Sequence, residues 1–201
     1  MNNLKPHTRE DIAKLGNAII YLVERLGPVS KTKLLKLLYF VQETSVRKYG
    51  LRFFDMPFQV WHLGPVAEDV FVELSAETAE TPVMLDEYIN RSAVDGKTFV
   101  APRKAFSDDE FSDNEIKLLQ FVTDHYGKYS ADELVDLTHR KHSLWYKTAR
   151  ENGVLDYLEK RMMTTTAIEI DFGQLVTEHP DQQWIYTNQQ EFLEHSRMLK
   201  A

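Results

Sequence analysis

Residues 30–42 read SKTKLLKLLYFVQ, and they predict a helix that is buried on most of its sides. The apolar positions that recur at the helical period are Leu34, Leu37, Leu38 and Val41. Leu35 and Tyr39 widen this stripe, so we expect only the strip that carries Lys33 and Lys36 to face solvent. The neighbours that such a helix needs must come from the rest of the chain.

The composition is that of an ordinary folded protein. With 201 residues the chain is long enough to bury a sizeable core, and we expect one domain over residues 1–201. Its apolar runs are too short to span a bilayer and its polar first residues do not form a secretory signal, so we expect a cytoplasmic protein with no membrane partner. The sequence has no cysteine, which excludes disulfides and thiolate metal sites.

The charges are unevenly distributed along the chain. The net charge of -7 argues against a general affinity for nucleic acid or anionic lipid. Residues 1–50 nevertheless carry nine Lys and Arg against four Asp and Glu, so the acidic excess lies in the remainder. Such a split either orients a partner or simply gives a solvated surface, because surface charges are individually worth little.

Two helices joined by a short turn are predicted in the first quarter of the chain. Thr8 can cap a helix that runs to Leu26, where a Gly-Pro pair ends it. Ser30 can cap the second helix, which runs to Tyr49 and stops at Gly50. We therefore expect a helical hairpin here.

A second pair of helices is predicted from similar signals. One helix runs from Asp113 to Tyr126, and Ser130 with Glu133 forms a capping box for the next. The two pairs match at a constant offset of 100, at Gly27 and Gly127, Ser30 and Ser130, Leu34 and Leu134, and Leu37 and Leu137. Either the two hairpins pack face to face around a pseudo-twofold axis, or the match reflects shared capping signals alone.

The segment between the two helical pairs is expected to be less regular. Trp61 is followed by a Gly-Pro turn in which Pro65 is placed to begin a helix over residues 67–75. An Asp-Gly signal within residues 94–97 predicts a short β-hairpin. This hairpin has too few apolar residues for a core of its own, so we expect it to lie against the helices as a flap.

The C-terminal part carries weaker signals. The residues from Thr164 to Phe172 alternate and predict a strand, and those from Gln183 to Tyr186 predict a short extended piece. A terminal helix is expected from Gln189 to Leu199, docked on the rest of the chain by Phe192, Leu193 and Leu199.

No recognised catalytic motif is present, so we assign no catalytic residue, metal site or cofactor. The nearest candidates are His62, His139 and His142, because three imidazoles can hold Zn²⁺ and would define a metal-dependent hydrolase. The alternative is that His139 is a hydrogen-bonded structural residue, which is the ordinary state of a buried polar side chain.

The first helical pair also has the outline of a DNA-binding helix-turn-helix. Lys31, Lys33 and Lys36 lie where such a module could meet phosphates, which would make the protein a transcriptional regulator. The exposed face lacks the Arg, Asn and Gln side chains that read base edges. Nucleic acid is therefore the less favoured partner.

Three separated stretches carry a family resemblance. They are LLKLLYFVQ at residues 34–42, FQVWHLGPV at residues 58–66 and LVDLTH at residues 134–139, with Trp145 following. Together they resemble the Panacea family, the SocA-like antitoxin domain that is also met in phage-associated proteins. The resemblance covers about residues 12–150 and leaves residues 160–201 as a C-terminal extension.

The resemblance implies an antitoxin that binds and neutralises a cognate toxin protein, and it brings no catalytic residues. It leaves open that the antitoxin hands its toxin to a protease such as a AAA+ unfoldase-protease. The residues carried over as partner-binding are Tyr39, Trp61, His62, Gly64, Val66, Thr138, His139 and Trp145. We expect an α+β, predominantly helical fold in which two helical hairpins form one core. We further expect the groove beside residues 61–66 and 138–139 to hold an element of the toxin.

Overall fold

A computed structural model of the chain describes residues 7–75 and 84–198 and has the predicted α+β, predominantly helical fold. The helices are α1 Arg9–Leu26, α2 Lys31–Tyr49, α3 Glu68–Ser75, α4 Asp113–Tyr126, α5 Ala131–Thr138, α6 Leu144–Glu151, α7 Leu155–Glu159 and α8 Pro180–Met198, with a 3-10 turn at Phe172–Leu175. The strands are β1 Val29–Ser30, β2 Gln59–Trp61, β3 Gly64–Val66, β4 Ile89–Val94 and β5 Lys97–Pro102.

The predicted capping signals set the ends of the first two helices. The Thr8 hydroxyl accepts from the Asp11 backbone N–H, and the Asp11 carboxylate accepts from the Thr8 backbone N–H, which completes a capping box. At α2 the Ser30 hydroxyl accepts from the Lys33 backbone N–H. Gly50 ends α2 in the left-handed region at φ 67°, where glycine pays no steric cost.

Helix α2 lies at the centre of the structure, as its sequence predicts. Its apolar stripe is fully buried, and it contacts α3, α4, α5 and α8 together with β1, β3 and β5. Lys33 Nζ donates to the Gly127 carbonyl at 2.7 Å, and the rings of Phe40 and Tyr126 stack with centroids 4.1 Å apart. The prediction that the second helical pair packs against this helix is confirmed.

The pseudo-twofold relation between the two helical pairs stays a prediction. Ser30 and Ser130 both cap their helices, but the two turns differ at the preceding glycines. Gly27 has φ 73° and lies outside the helical region, whereas Gly127 has φ -62° and continues the helical conformation. The shared spacing therefore does not produce the same turn.

The predicted Asp-Gly hairpin is confirmed and belongs to a larger sheet. Asp95 and Gly96 have φ values of 51° and 72°, which is the pattern of a type I′ turn between β4 and β5. Strand β5 also pairs antiparallel with β1, with Val29 opposite Val100, and it packs on α1 and α2. The hairpin is thus bound to the helical body along one of its edges.

The helix predicted over residues 67–75 is confirmed as α3, but Pro65 does not begin it. Pro65 lies inside β3 and pairs with Val60 of β2, so the chain turns at His62 and Leu63 and the next helix begins only at Glu68. A proline is tolerated here because the hairpin has two strands and β3 lies at an edge.

The C-terminal predictions are only partly confirmed. The residues from Thr164 to Phe172 run beside β2 and are bonded to it, as in Val60 N–H to the Ile168 carbonyl at 2.9 Å, but they form a single β-bridge and no regular strand. The predicted extended piece at residues 183–186 is wrong, because Pro180 begins α8 at the position where its missing N–H costs nothing. Phe192 is exposed and does not dock that helix, and Leu199 lies outside the described residues.

No helix within residues 7–75 and 84–198 is long and apolar enough to cross a membrane. The buried apolar side chains of this part of the chain, from Leu15 in α1 to Val176 after the 3-10 turn, form a hydrophobic cluster. The organisation of residues 1–201 as one domain stays a prediction.

Candidate partner-binding site

The side chains of Trp145 and His139 contact backbone carbonyls of the turn between β2 and β3. The Trp145 indole N–H donates to the Trp61 carbonyl at 2.9 Å, and the Trp145 side chain is fully buried. His139 places Nε2 at 3.1 Å from the His62 carbonyl oxygen, and its ring lies 3.9 Å from the Trp145 ring between centroids. Two successive carbonyls of the turn are therefore fixed by α5 and α6, so sequence motifs about 80 residues apart meet here.

Lys36 supports the same turn from the side of α2. Its side chain is only 1% exposed, and its Nζ donates to the Pro65 carbonyl at 2.8 Å. The prediction that Lys36 faces solvent is wrong, because the carbonyl that satisfies its amine comes from a strand that helical periodicity cannot foresee. Burial lowers the pKa of the Lys36 amine to about 7.

Gly64 allows the β2–β3 turn to lie directly against α2 and α5. It has φ 91°, and a Cβ at this position would overlap the Thr138 hydroxyl oxygen and lie 2.9 Å from Lys36 Cε. The Thr138 hydroxyl in turn donates to the Val135 carbonyl at 2.7 Å. Glycine is required here for its conformation and for the close approach of α2 and α5.

The residues predicted to bind a partner divide into two groups by exposure. Trp61, His62 and His139 are partly exposed, and direct contact with a partner stays a prediction for them. The other side chains are buried with Gly64, and they are Tyr39, Val66, Thr138 and Trp145. Tyr39 packs among aromatic rings inside the core, so it has no surface with which to anchor a partner in this conformation.

Exposed apolar side chains flank the turn, and sequence reasoning did not identify them. The His62 backbone N–H donates to the Thr164 carbonyl, and its Nδ1 lies 2.9 Å from the Leu158 carbonyl oxygen, which brings the segment after α7 against the turn. The exposed side chains on either side of these contacts are Leu63, Tyr157, Met162 and Met163, and we call them the hairpin-tip patch. The only sequence signal was the adjacent Met162 and Met163 in a polar stretch.

An open groove of about 430 Å³ borders this patch and includes Tyr157, Lys160 and Met162 among its lining residues. The rim of the groove is mixed in charge, because it includes Arg150 and Asp156 as well as Lys160. The groove therefore offers apolar contact area without a strong preference for a partner of one charge.

The three histidines of the hydrolase alternative are not arranged as a metal site. His139 directs its two ring nitrogens at the carbonyl oxygens of Val135 and His62, and His62 Nδ1 lies against the Leu158 carbonyl. His142 is exposed. Among the residues that the structure describes, no group of three His, Cys, Asp or Glu side chains could hold a metal ion.

The lysines of the DNA-binding alternative each make an intramolecular hydrogen bond. Lys31 Nζ donates to the Ser75 hydroxyl at 2.9 Å, and Lys33 Nζ donates to the Gly127 carbonyl at 2.7 Å. Lys36 is buried and cannot reach a phosphate. The row of free cations that this alternative requires is therefore missing from α2.

Lys36 makes the stability of the fold depend on pH. Between about pH 7 and the ordinary lysine pKa near 10.5, the unfolded chain holds a proton that the folded chain has released, so the free energy of unfolding rises with pH. We expect the wild type to gain about 2 kcal/mol more than the Lys36→Met variant between pH 7 and pH 9. Urea unfolding at both pH values measures this difference, and parallel behaviour of the two proteins would contradict it.

A family model matches more than half of the chain. The model described as antitoxin SocA-like, Panacea domain, matches residues 34–146. The match starts in α2, contains the β2–β3 turn and α5, and ends just after Trp145, so it covers Lys36, His139 and Trp145 but not the segment after α6 that also contacts the turn. Comparison with curated proteins and with solved structures gives no match.

Proposed function

The chain belongs to the family of SocA-like antitoxin Panacea domains, and on this premise we propose that it neutralises a toxin protein by binding it. The observation that carries the proposal is the family match over residues 34–146. The toxin is expected to be encoded beside the antitoxin, and the complex is expected to form in the cytoplasm. Neutralisation is stoichiometric and needs no turnover.

The hairpin-tip patch is the proposed contact surface for the toxin. Exposed apolar side chains grouped on a surface favour association with another protein. The backbone beneath Leu63 is fixed by hydrogen bonds from Trp145 and Lys36, so little conformational freedom is lost when a partner binds. Trp61 and His62, which are partly exposed at the base of the turn, belong to the edge of this surface.

Co-expression of this protein with the neighbouring open reading frame tests the function. The neighbouring product alone is expected to arrest growth, and co-expression is expected to restore growth and to yield a complex that co-purifies. If the wild-type chain neither restores growth nor co-purifies with that product, the proposed function is wrong.

Two variants test the contact surface separately. The double substitution Leu63→Asp and Met162→Asp puts charge on two exposed members of the hairpin-tip patch and is expected to abolish rescue. Val94→Asp is the matched control, because Val94 is comparably exposed at the β4–β5 turn and belongs to no proposed contact. If all three proteins rescue growth equally, the toxin binds elsewhere and the proposed function is retained.

Delivery to a AAA+ unfoldase-protease is a finer form of the same proposal. It predicts that the toxin level falls when the antitoxin is present and that the fall requires the protease. Neutralisation by binding alone predicts an unchanged toxin level with full rescue, so immunoblotting of the toxin distinguishes the two.

A further inference from the structure

Helix α8 exposes large apolar side chains to solvent in addition to Tyr186, which it packs against the hydrophobic core. Its exposed large hydrophobic side chains are Trp184 at 69%, Phe192 at 69% and Met198 at 74%. At 100° per residue these three positions fall within an arc of about 120°. A surface helix normally buries its apolar face, so an apolar arc that points to solvent needs a separate reason.

The opposite face of α8 is held to the body by Tyr186, which packs against the hydrophobic core, and by glutamines. Gln189 accepts from the Arg52 backbone N–H at 2.6 Å and donates to the Arg52 carbonyl at 3.2 Å. Gln190 Oε1 accepts from Arg52 Nη1, and the backbone of Gln182 lies directly against Gly50 at the end of α2. These contacts fix which face of the helix points outward, so the exposed aromatic arc is a consequence of specific anchoring.

Acidic side chains surround the outward apolar arc of α8. Its exposed acids are Asp181, Glu191 and Glu194, and Glu178 lies just before the helix. The sequence contains no Lys or Arg from Met162 to Ser196, a stretch that takes in all of α8 except its last two residues, Arg197 and Met198. The surface thus combines large apolar side chains with negative charge, and no basic side chain in this stretch offsets it.

We propose that the outward face of α8, formed by Trp184, Phe192 and Met198, is a second contact surface for the toxin and takes a basic segment of it that carries apolar side chains. The inference rests on the proposed function. The acidic surround favours a basic partner and disfavours nucleic acid and anionic lipid. It also disfavours a symmetric contact with a second copy of this chain, because like charges would then face each other.

Aromatic residues at the centre of an interface supply much of its affinity, whereas the charges around them act mainly on association rate and salt dependence. The proposal therefore predicts two different effects on affinity from substitutions in the same face. Removal of Trp184 and Phe192 should weaken the complex strongly even at high salt. Reversal of Glu191 and Glu194 should weaken it mainly at low salt.

The test measures binding of the purified full chain to the purified product of the neighbouring open reading frame by calorimetry. Trp184→Ser with Phe192→Ser is expected to weaken binding at least about 30-fold, since each aromatic side chain is a candidate hot spot. Phe121→Ser is the matched control, because Phe121 is an exposed aromatic residue on α4 outside both proposed surfaces. The control is expected to bind like the wild type and, like the double variant, to keep the wild-type thermal midpoint.

The outcomes separate the two proposals. If the wild type binds the product and the α8 double variant binds equally well, the α8 proposal is overturned and the proposed function stands. If the wild type neither binds the product nor restores growth, both proposals are overturned. If sedimentation shows that the wild type self-associates and the double variant does not, the face is occupied by a second copy and the toxin is rejected as its occupant.

Discussion

Gly64→Ala is expected to destabilise the protein by about 3 kcal/mol or more, because it combines two separate costs. The residue has φ 91°, which an L side chain rarely adopts, and a Cβ there would overlap the Thr138 hydroxyl oxygen and approach Lys36 Cε. An unfavourable backbone region costs on the order of 1–3 kcal/mol, and overpacking of a filled core costs a similar amount. Urea unfolding at neutral pH measures the loss.

Gly96→Ala is the matched control for this substitution. Gly96 also has a positive φ, 72°, but nothing lies within 4 Å of a Cβ built there. In Gly96→Ala the free energy of unfolding should therefore fall only by the cost of the backbone conformation, about 1 kcal/mol. Equal losses in the two variants would show that Gly64 serves the turn conformation alone and that the close approach of Thr138 and Lys36 is unimportant.

Trp145→Ala is expected to cost about 4 kcal/mol, the second large effect. The side chain is fully buried, so its removal leaves a cavity, and the Trp61 carbonyl loses its donor at 2.9 Å. Trp145→Phe keeps a six-membered ring but removes both the donor and the volume of the fused pyrrole ring, so it should cost about 2 kcal/mol. Chemical unfolding of both variants measures these losses, and a loss under 1 kcal/mol for Trp145→Ala would contradict the supporting role of this side chain.

Trp145→Phe also separates folding from recognition. This variant should stay folded while the β2–β3 turn is less firmly held, so its affinity for the toxin should fall modestly. The folded fraction and the dissociation constant are measured on the same sample of Trp145→Phe and compared with those of the wild type.

The ends and the burial of the first two helices could be predicted because their causes are local. The hydroxyls of Thr8 and Ser30 accept from backbone groups three residues away, and a stripe of leucines identifies a buried face by its period alone. The Asp-Gly turn at residues 95–96 belongs to the same class, since its two positive φ values follow from its residue types.

The burial of Lys36 could not be predicted, because its partner is distant in sequence. Helical periodicity assigns Lys36 to a polar strip, and only the carbonyl of Pro65, 29 residues later, makes its burial possible. The same reason explains the error at Pro65, whose strand pairing with Val60 overrides the helix-start preference of proline. The two-residue strand β1 is too short to give a period at all.

The orientation of α8 could not be predicted either. Apolar residues in a helix were expected to dock it, but Phe192 points outward while Gln189 and Gln190 make the anchoring contacts through Arg52. Local rules fail most often where a surface is kept for another molecule, because the sequence there satisfies a partner as well as the fold.

The residues assigned to partner binding by resemblance show a related division. Gly64, Thr138 and Trp145 are buried and hold the turn, whereas the exposed side chains beside it, such as Leu63 and Met162, belong to no motif noted in the sequence. A family motif that consists mostly of buried residues identifies the side chains that support a surface and not the exposed side chains that form it.

Titration of the purified toxin with the purified chain tests stoichiometric neutralisation most directly. Binding without turnover predicts that toxin activity falls in proportion to the chain added, reaches its minimum at a fixed molar ratio, and does not fall further with time. Complete loss of toxin activity at a small fraction of that ratio, progressing with time, would contradict neutralisation by binding and would show that the chain acts as a catalyst.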